Sequence, residues 1–266
     1  MMGMKLEHAS VVLTGAAGGI GAPTARALFA AGARLLLVGR HAGRLAALMR
    51  SLDPQAGDRS RVDVLAVDIG TPAGIEAVRS VALARHVNVL INNAGLASFG
   101  RLGALDEAHI LQAVTTNLVA PMLLTRALLP GLQDQPAAAV LNVGSVLGRL
   151  ALPGFSVYSA TKFGLRGFSE ALRRELAGTK VRVQYFGPRV TQTGFNSPEV
   201  EAYNQETGAG TDPPEVVAAA LLTLLRSGAA ERFLGVPEKY AVRVNGLAPA
   251  ALDAAFKRHR LALPDA

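Results

Sequence analysis

The sequence predicts an α/β fold: one doubly wound parallel sheet of about seven strands with helices on both faces. Seven short runs rich in Val, Leu and Ile are apolar throughout rather than alternating, as in strands covered on both faces. Alanine-rich segments separate them, and each is long enough for the helical crossover that parallel strands need. The predicted strands are Ser10–Thr14, Arg34–Val38, Val62–Val67, Val87–Ile91, Ala138–Val143, Val181–Tyr185 and Arg232–Val236.

The first strand is followed by a glycine-rich turn and then an alanine-rich helix that carries Pro23 near its start. Backbone N–H groups at a helix N-terminus attract a phosphate, and glycines let the backbone approach it closely. The pattern favours a dinucleotide pyrophosphate site over a plain strand–helix turn. The candidate residues are Thr14, Gly15, Ala17, Gly18, Gly19, Ile20 and Gly21.

The later elements follow the same alternation, with two exceptions. Pro72 and the Pro213–Pro214 pair mark helix starts, and Ser156–Ala177 is a predicted helix. Thr191–Pro214 is polar and too long for an ordinary connection, so we expect a mobile lid or binding loop. Residues 237–266 form a predicted helical extension of the single domain whose body is 1–236. One face of it is marked by Leu252, Ala255, Phe256 and Leu263, beside the basic run Lys257-Arg258-His259-Arg260.

Composition excludes several classes of protein. The 266 residues are 50% hydrophobic and 18% charged, which excludes intrinsic disorder. The chain has no cysteine, so disulfides, thiolate catalysis and cysteine-ligated metals are excluded. None of the five histidines stands at metal-ligand spacing, so we expect no metal. No run would span a bilayer, and the first residues lack the apolar stretch of a signal peptide, so a cytoplasmic location is expected.

Three motifs occur in order: the Thr14–Gly21 turn, Asn92-Asn93-Ala94-Gly95 after the fourth strand, and Tyr158-Ser159-Ala160-Thr161-Lys162. Together they resemble the classical short-chain dehydrogenase/reductase family over about Ser10 to Val236. The resemblance implies a Rossmann-type fold and hydride transfer between a nicotinamide cofactor and a ketone or aldehyde, or the matching alcohol. It also implies a homo-oligomer, either a dimer or a tetramer.

Tyr158 and Lys162 lie four residues apart, so a helix places them on one face. A nearby ammonium favours the phenolate, so we expect Lys162 to lower the pKa of Tyr158 toward the working range of an acid–base group. Without Lys162, core packing would be the better interpretation of the tyrosine. Ser145, after the fifth strand, is either a turn residue or a hydrogen-bond donor to the reacting oxygen, and the resemblance favours the donor. The resemblance alone assigns Asn117 a bend in its helix and a water that relays protons to the lysine.

The resemblance also implies most of the cofactor contacts. Asp68 matches an adenine-contacting aspartate, although it would also suit a helix cap. Asn92 and Ala94 are expected at the ribose, and Asn93 is expected to brace the central strand. Arg189 replaces the family's usual glycine, and it would either reach an anionic group or point to solvent. The further expected contacts are Ile69, Gly95, Tyr158, Lys162, Pro188, Val190, Thr191 and Thr193.

The second strand ends in Val38-Gly39-Arg40-His41, with Arg44 one turn later and no carboxylate. An arginine there suits the 2′-phosphate of NADP(H), whereas an acidic residue would bind the ribose hydroxyl of NAD(H). We therefore expect NADP(H), with NAD(H) still possible because Gly18 occupies the place where a second basic residue often stands.

The loop after Ser145 is apolar, which favours a hydrophobic substrate: an acyl-chain, steroid-like or simple ketone. Three alternatives stay open. They are an NAD-dependent alcohol dehydrogenase, a nucleotide-binding regulatory protein, and a membrane-surface role for the basic C-terminal helix. For this helix, packing on the protein's own body or on a neighbouring subunit is preferred to membrane binding. The net charge of +7 does not indicate nucleic-acid binding, because the arginines are dispersed and no recognition motif occurs.

Overall fold

A computed structural model describes residues 4–53, 61–235, 244–248, 250, 253 and 256–264. Seven strands form one parallel sheet in the order β3-β2-β1-β4-β5-β6-β9, and a short parallel pair, β7-β8, lies apart from it. The predicted doubly wound sheet is confirmed. The strands are β1 Ser10–Thr14, β2 Arg34–Gly39, β3 Val62–Ala66, β4 Val89–Asn92, β5 Ala138–Val143, β6 Val181–Gly187, β7 Val190–Thr191, β8 Thr211–Asp212 and β9 Glu231–Phe233.

Helices cover both faces of the sheet. Along β1, Val11 and Leu13 pack toward α1 and α8, whereas Val12 packs toward α3 and α5, so each face has its own core. The helices are α1 Gly21–Ala30, α2 Ala42–Leu52, α3 Pro72–Ala84, α4 Glu107–Val114, α5 Ala120–Gln133, α6 Ser156–Glu175, α7 Pro198–Thr207 and α8 Pro214–Ser227; a π-helical turn, Thr115–Val119, joins α4 to α5.

The strand order reverses beside β1. Its neighbours are β2 on one side and β4 on the other, so the chain winds outward in two directions from this point. A crevice opens at such a switch point because the following loops part to opposite faces. The carboxyl ends of β1, β4, β5 and β6 therefore frame a ligand site.

The structure differs from the sequence prediction between Thr191 and Pro214, because this segment contains α7 between β7 and β8. The helix has ordinary boundary residues: the Ser197 hydroxyl accepts a hydrogen bond from the Val200 amide at 3.4 Å, and Gly208 follows the last turn at φ 72°. In the C-terminal segment, Leu252 and Ala255 lie outside the described residues, as does Val236 of the last predicted strand. No helix of the described ranges is both long and apolar enough to cross a membrane.

Candidate active site

A cleft of about 860 Å³ lies over the carboxyl ends of the central strands. At one end is the glycine-rich turn after β1, and at the other are α7 and the described C-terminal turn Lys257–Leu261. Most of the sequence-predicted site residues line it. They are Thr14, Gly15, Ala17, Gly18, Gly19, Ile20, Arg40, Asp68, Ile69, Ala94, Gly95, Ser145, Tyr158, Lys162, Pro188, Val190, Thr191 and Thr193.

The glycine turn has no room for side chains. Gly15 has φ 62°, and a Cβ added there would lie 2.8 Å from the Ala94 Cα. A Cβ on Gly19 would lie 2.2 Å from the Thr193 Cβ, across the cleft. The Gly21 position is needed for packing instead, because a Cβ there would meet the Gly15 carbonyl oxygen at 2.2 Å, and this residue does not line the cleft. The turn is therefore a bare backbone cradle that fits a pyrophosphate.

Thr14 and Asn93 tie this turn to the end of β4. The Thr14 hydroxyl accepts hydrogen bonds from the Asn93 and Ala94 amides at 2.9 and 3.0 Å, and the Asn93 side chain donates to the Thr14 carbonyl at 2.9 Å. Asn93 thus braces the central strand as predicted. The Asn92 side chain is buried and donates to the Asn142 side chain at 2.8 Å, away from the cleft, and the contact of Asn92 with a ribose stays a prediction.

Tyr158 and Lys162 lie on one face of α6, with the Lys162 Nζ 5.5 Å from the centre of the tyrosine ring. The Lys162 side chain is 4% exposed, and its Nζ donates to the Val143 carbonyl at 3.1 Å. Burial lowers the pKa of Lys162 to about 8. Burial also raises the pKa of Tyr158 to about 12, against the smaller, lowering effect of a hydrogen bond with Ser145. The expected lowering of the Tyr158 pKa by Lys162 is therefore wrong for the protein alone, because burial raises this pKa and the smaller lowering effect comes from Ser145.

Ser145 is a turn residue and also a neighbour of the tyrosine. Its hydroxyl accepts from the Leu147 amide at 3.1 Å, which caps a 3₁₀ turn, and it hydrogen-bonds Tyr158. Sequence analysis missed Tyr185 on β6, whose hydroxyl accepts from the Ser145 amide at 3.1 Å and donates to its carbonyl at 3.0 Å. Burial raises the pKa of Tyr185, so it stays a neutral brace. A Cβ on Gly144 would fall 2.0 Å from this hydroxyl, so the tyrosine requires a glycine at position 144.

Asn117 lies in the π-helical turn and is fully buried, whereas residue type alone would have placed it on the surface. Its Oδ1 accepts from the Leu96 amide at 2.7 Å, and its Nδ2 donates to the Leu96 carbonyl at 2.9 Å and to Thr161 at 3.3 Å. The side chain therefore fixes the loop after β4 against α6. A Cβ on Gly95 would be 3.5 Å from the Asn117 Oδ1 and 3.9 Å from the Lys162 Nζ, so the two groups flank one point. The water relay stays a prediction.

The adenosine end of the cleft is basic on one side. Arg40, His41 and Arg44 are exposed and line it at the end of β2. Across from them, the Asp68 carboxylate accepts from the Gly70 amide at 2.8 Å, while Thr71 supplies the actual cap of α3. Asp68 is therefore not the helix cap.

Arg189 lines the cleft and is paired with a carboxylate instead of pointing to solvent, and its contact with an anionic group of a ligand stays a prediction. Its Nε and Nη2 donate to the two carboxylate oxygens of Asp212 at 3.0 and 2.8 Å. The pair joins the two ends of the segment that contains α7, and the two side chains are 22% and 14% exposed. The arginine is held by a carboxylate at the base of this segment.

The substrate end of the cleft is lined by aromatic rings. The Phe155 ring lies 6.4 Å from Tyr158 and 5.6 Å from Tyr203, centre to centre. The Phe195 ring lies 6.4 Å from Tyr158 on another side. The Tyr203 hydroxyl is 2.7 Å from His259 Nδ1, so the C-terminal turn packs on α7. A contact of this kind is expected if the C-terminal segment packs on the protein's own body. For the aromatic lining of the cleft, the only indication in the sequence was the apolar loop after Ser145.

The residues present fit a nicotinamide dinucleotide: a glycine-rich backbone cradle, two arginines at the end of the second strand and a buried lysine. In the part of the chain that the structure describes, no three His, Asp or Glu side chains are grouped as a metal ion would need. The cleft brings together the hydroxyls of Ser145 and Tyr158 and the amine of Lys162.

Comparison with known proteins identifies the same family as the sequence motifs do. Residues 9–204 match the family model for short chain dehydrogenase. The chain is 30% identical over 262 residues to the ketoacyl reductase HetN of Nostoc sp., covering 95% of this chain and 89% of that protein. It is 31% identical over 207 residues to the mouse dehydrogenase/reductase SDR family member 7B, covering 77% of this chain and 64% of the mouse protein.

Solved structures are also similar. A short-chain dehydrogenase of Burkholderia cenocepacia in complex with NADP superposes with a TM-score of 0.79 at 26% identity, covering 96% of this chain and 99% of that one. A short-chain dehydrogenase of Streptomyces avermitilis gives 0.78 at 27% identity, covering 92% and 96%.

Proposed function

Because this chain belongs to the short-chain dehydrogenase/reductase family, and so to the oxidoreductases that act on carbonyl and hydroxyl groups, we propose that it reduces hydrophobic ketones and aldehydes with NADPH. The observation that carries the proposal is the placement of Tyr158, Ser145 and Lys162 within one cleft that ends in a backbone phosphate cradle. The reverse oxidation of alcohols uses the same groups.

Each of the three side chains has a distinct part. The nicotinamide supplies the hydride. The Ser145 hydroxyl holds the carbonyl oxygen, and Tyr158 gives that oxygen a proton as it gains negative charge. Lys162 places a positive charge beside the phenolate that remains. A tyrosine pKa of about 12 keeps the proton donor protonated at neutral pH, as the reduction step requires.

The preference for NADPH rests on the end of β2. Arg40 and Arg44 present guanidinium groups to the cleft where an acidic residue would repel a 2′-phosphate. Dissociation constants for NADPH and NADH test it, and tighter binding of NADH would refute it.

The hydrophobic substrate is supported by the aromatic wall. Phe155, Phe195 and Tyr203 surround the space beside Tyr158, and Phe256 of the C-terminal segment also lines the cleft. Flat or acyl-chain ketones bury apolar area there, and each buried methylene contributes about 0.8 kcal/mol. HetN is named as a ketoacyl reductase, which makes acyl-chain ketones a natural first group to test.

The deciding experiment is a panel of acyl-chain, steroid-like and simple ketones, followed by NADPH oxidation. Replacing Tyr158 by Phe removes the proton donor, so we expect turnover to fall by roughly 10²- to 10⁴-fold. NADPH binding, measured by fluorescence, should be retained in this variant. Unchanged turnover would refute the role of Tyr158, and no NADPH oxidation with any ketone in the wild-type protein would refute the function.

A homo-oligomer is also proposed. Leu111, Val119 and Leu123 repeat at helical spacing along the α4–α5 helix and are 37% to 68% exposed. Phe163 of the neighbouring α6 is 39% exposed. An uncovered apolar stripe of this kind suits a second copy of the chain. Light scattering is expected to give at least twice the monomer mass, and a monomer at micromolar concentration would contradict it.

A further inference from the structure

Between β6 and α8 the chain runs outside the main sheet. Two very short strands, β7 and β8, pair the two ends of this segment. Val190 pairs with Thr211, and Thr191 pairs with Asp212. The Gln192 amide also donates to the Asp212 carbonyl at 3.0 Å. A two-stranded ribbon of this length has little stability of its own.

The ion pair between Arg189 and Asp212 spans the same two ends. Its two parallel N–H···O contacts, at 3.0 and 2.8 Å, are the bidentate arrangement that makes arginine–carboxylate pairs strong. Because the two side chains are only 22% and 14% exposed, solvent screens the pair less than an ordinary surface pair. Removing Arg189 leaves the Asp212 carboxylate as a poorly solvated charge.

The enclosed segment provides contacts at both ends of the reaction centre. Thr191 and Thr193 lie at the nicotinamide side, and Thr193 reaches across to the glycine turn, where a Gly19 Cβ would touch it. Phe195 and Tyr203 form the aromatic wall of the substrate space. The position of the base of the segment therefore fixes cofactor and substrate contacts together.

We propose that Arg189 and Asp212 are a pair of positioning residues that clasp the 191–214 segment over the bound cofactor and ketone. The inference rests on the proposed function for its kinetic consequence, and on the geometry alone for its effect on nucleotide binding. The pair acts on binding and does not touch the reacting atoms. Its loss should raise KM much more than it lowers kcat.

The test compares Arg189→Ala, Asp212→Ala, the double variant and the charge exchange Arg189→Asp with Asp212→Arg. Each single variant should raise the KM for NADPH and for the ketone by roughly fivefold to thirtyfold, with kcat within about threefold of wild type. The double variant should be no worse than either single variant, and the exchanged pair should recover part of the loss. The matched control is the exposed α3 pair Arg79 and Glu76, joined at 2.7 Å, whose alanine variants should change neither constant.

Two readouts separate failure of the clasp from failure of the proposed function. NADPH dissociation constants and hydrogen exchange of the 191–214 amides need no ketone turnover, and both should respond in the single variants. An Arg189→Ala defect with Asp212→Ala at or better than wild type would overturn the clasp, because Arg189 would then bind a ligand anion directly. Unchanged NADPH affinity and unchanged exchange in both single variants would also overturn it.

Discussion

Lys162 is a buried amine, and carrying a positive charge at this buried position costs free energy. Its side chain is 4% exposed, and the one hydrogen-bond acceptor of its Nζ on the described chain is the Val143 carbonyl. Desolvation lowers the pKa of the amine to about 8, so the protonated form needed beside the Tyr158 phenolate opposes folding at neutral pH. The buried charge of Lys162 therefore lowers the stability of the fold, and the proposed role of Lys162 requires that charge.

This cost should be visible as a pH dependence of stability. The lysine pKa is about 8 when folded and near 10.5 when unfolded, so the unfolded chain binds more protons between these values, and stability rises with pH there. Relative to Lys162→Met, the wild-type free energy of unfolding should gain roughly 2 to 3 kcal/mol from pH 7 to pH 10.5. Urea denaturation of both proteins across this range measures it, and parallel curves would contradict a penalised lysine.

At the residue scale, sequence spacing predicted which side chains lie close together. It did not predict how deeply they are buried or how burial shifts their pKa values. Four residues on a helix bring Tyr158 and Lys162 to one face, whatever surrounds them. The direction of the tyrosine pKa shift depends on burial by residues distant in sequence, and spacing carries no information about that. Tyr185 was missed for the same reason: it is forty residues from Ser145 and next to it only across paired strands.

The glycine turn is sensitive to a single added carbon atom. A methyl group on Gly19 would overlap Thr193, so Gly19→Ala must push the turn away from the segment that faces it. We expect NADPH affinity to fall at least tenfold, because the backbone N–H groups no longer converge on the phosphates. Gly43→Ala is the matched control, because a Cβ there meets nothing within 4 Å. Isothermal titration of both variants measures this, and equal affinities would show that the turn adapts.

Strand order and helix placement were predictable because each element buries a continuous apolar run. Helix α7 was missed because its segment is polar, although Ser197, Pro198 and Gly208 are ordinary helix-boundary residues. The partner of Arg189 was not predictable, because Asp212 lies 23 residues away, beyond that helix. Local sequence patterns therefore predict helices and strands, whereas a contact between residues far apart in sequence, such as Arg189 and Asp212, depends on the whole fold.

At the scale of the molecule, the positive charge has a definite place. Arg40 and Arg44 are close in sequence and lie at one rim of the cleft, where β2 and α2 meet. The parallel sheet places this rim near the glycine turn, because β1 and β2 are neighbours and end at the same edge. A ligand that binds at this rim of the folded protein and not to the unfolded chain adds its binding energy to the stability of the whole domain.

Thermal unfolding therefore reports cofactor choice through the whole fold. A ligand that binds only the folded protein stabilises it by about 2.7 kcal/mol at one hundred times its dissociation constant. For a domain of this size that is a rise in Tm of roughly 5 to 10 °C, expected with NADPH and smaller with NADH at equal concentration. Arg40→Ala should bring the two shifts together by reducing the NADPH shift alone. Arg50→Ala, an exposed charge at the far end of α2, should leave the difference intact. An equal loss of both shifts in Arg40→Ala would place the arginine at the adenosine in general rather than at a 2′-phosphate.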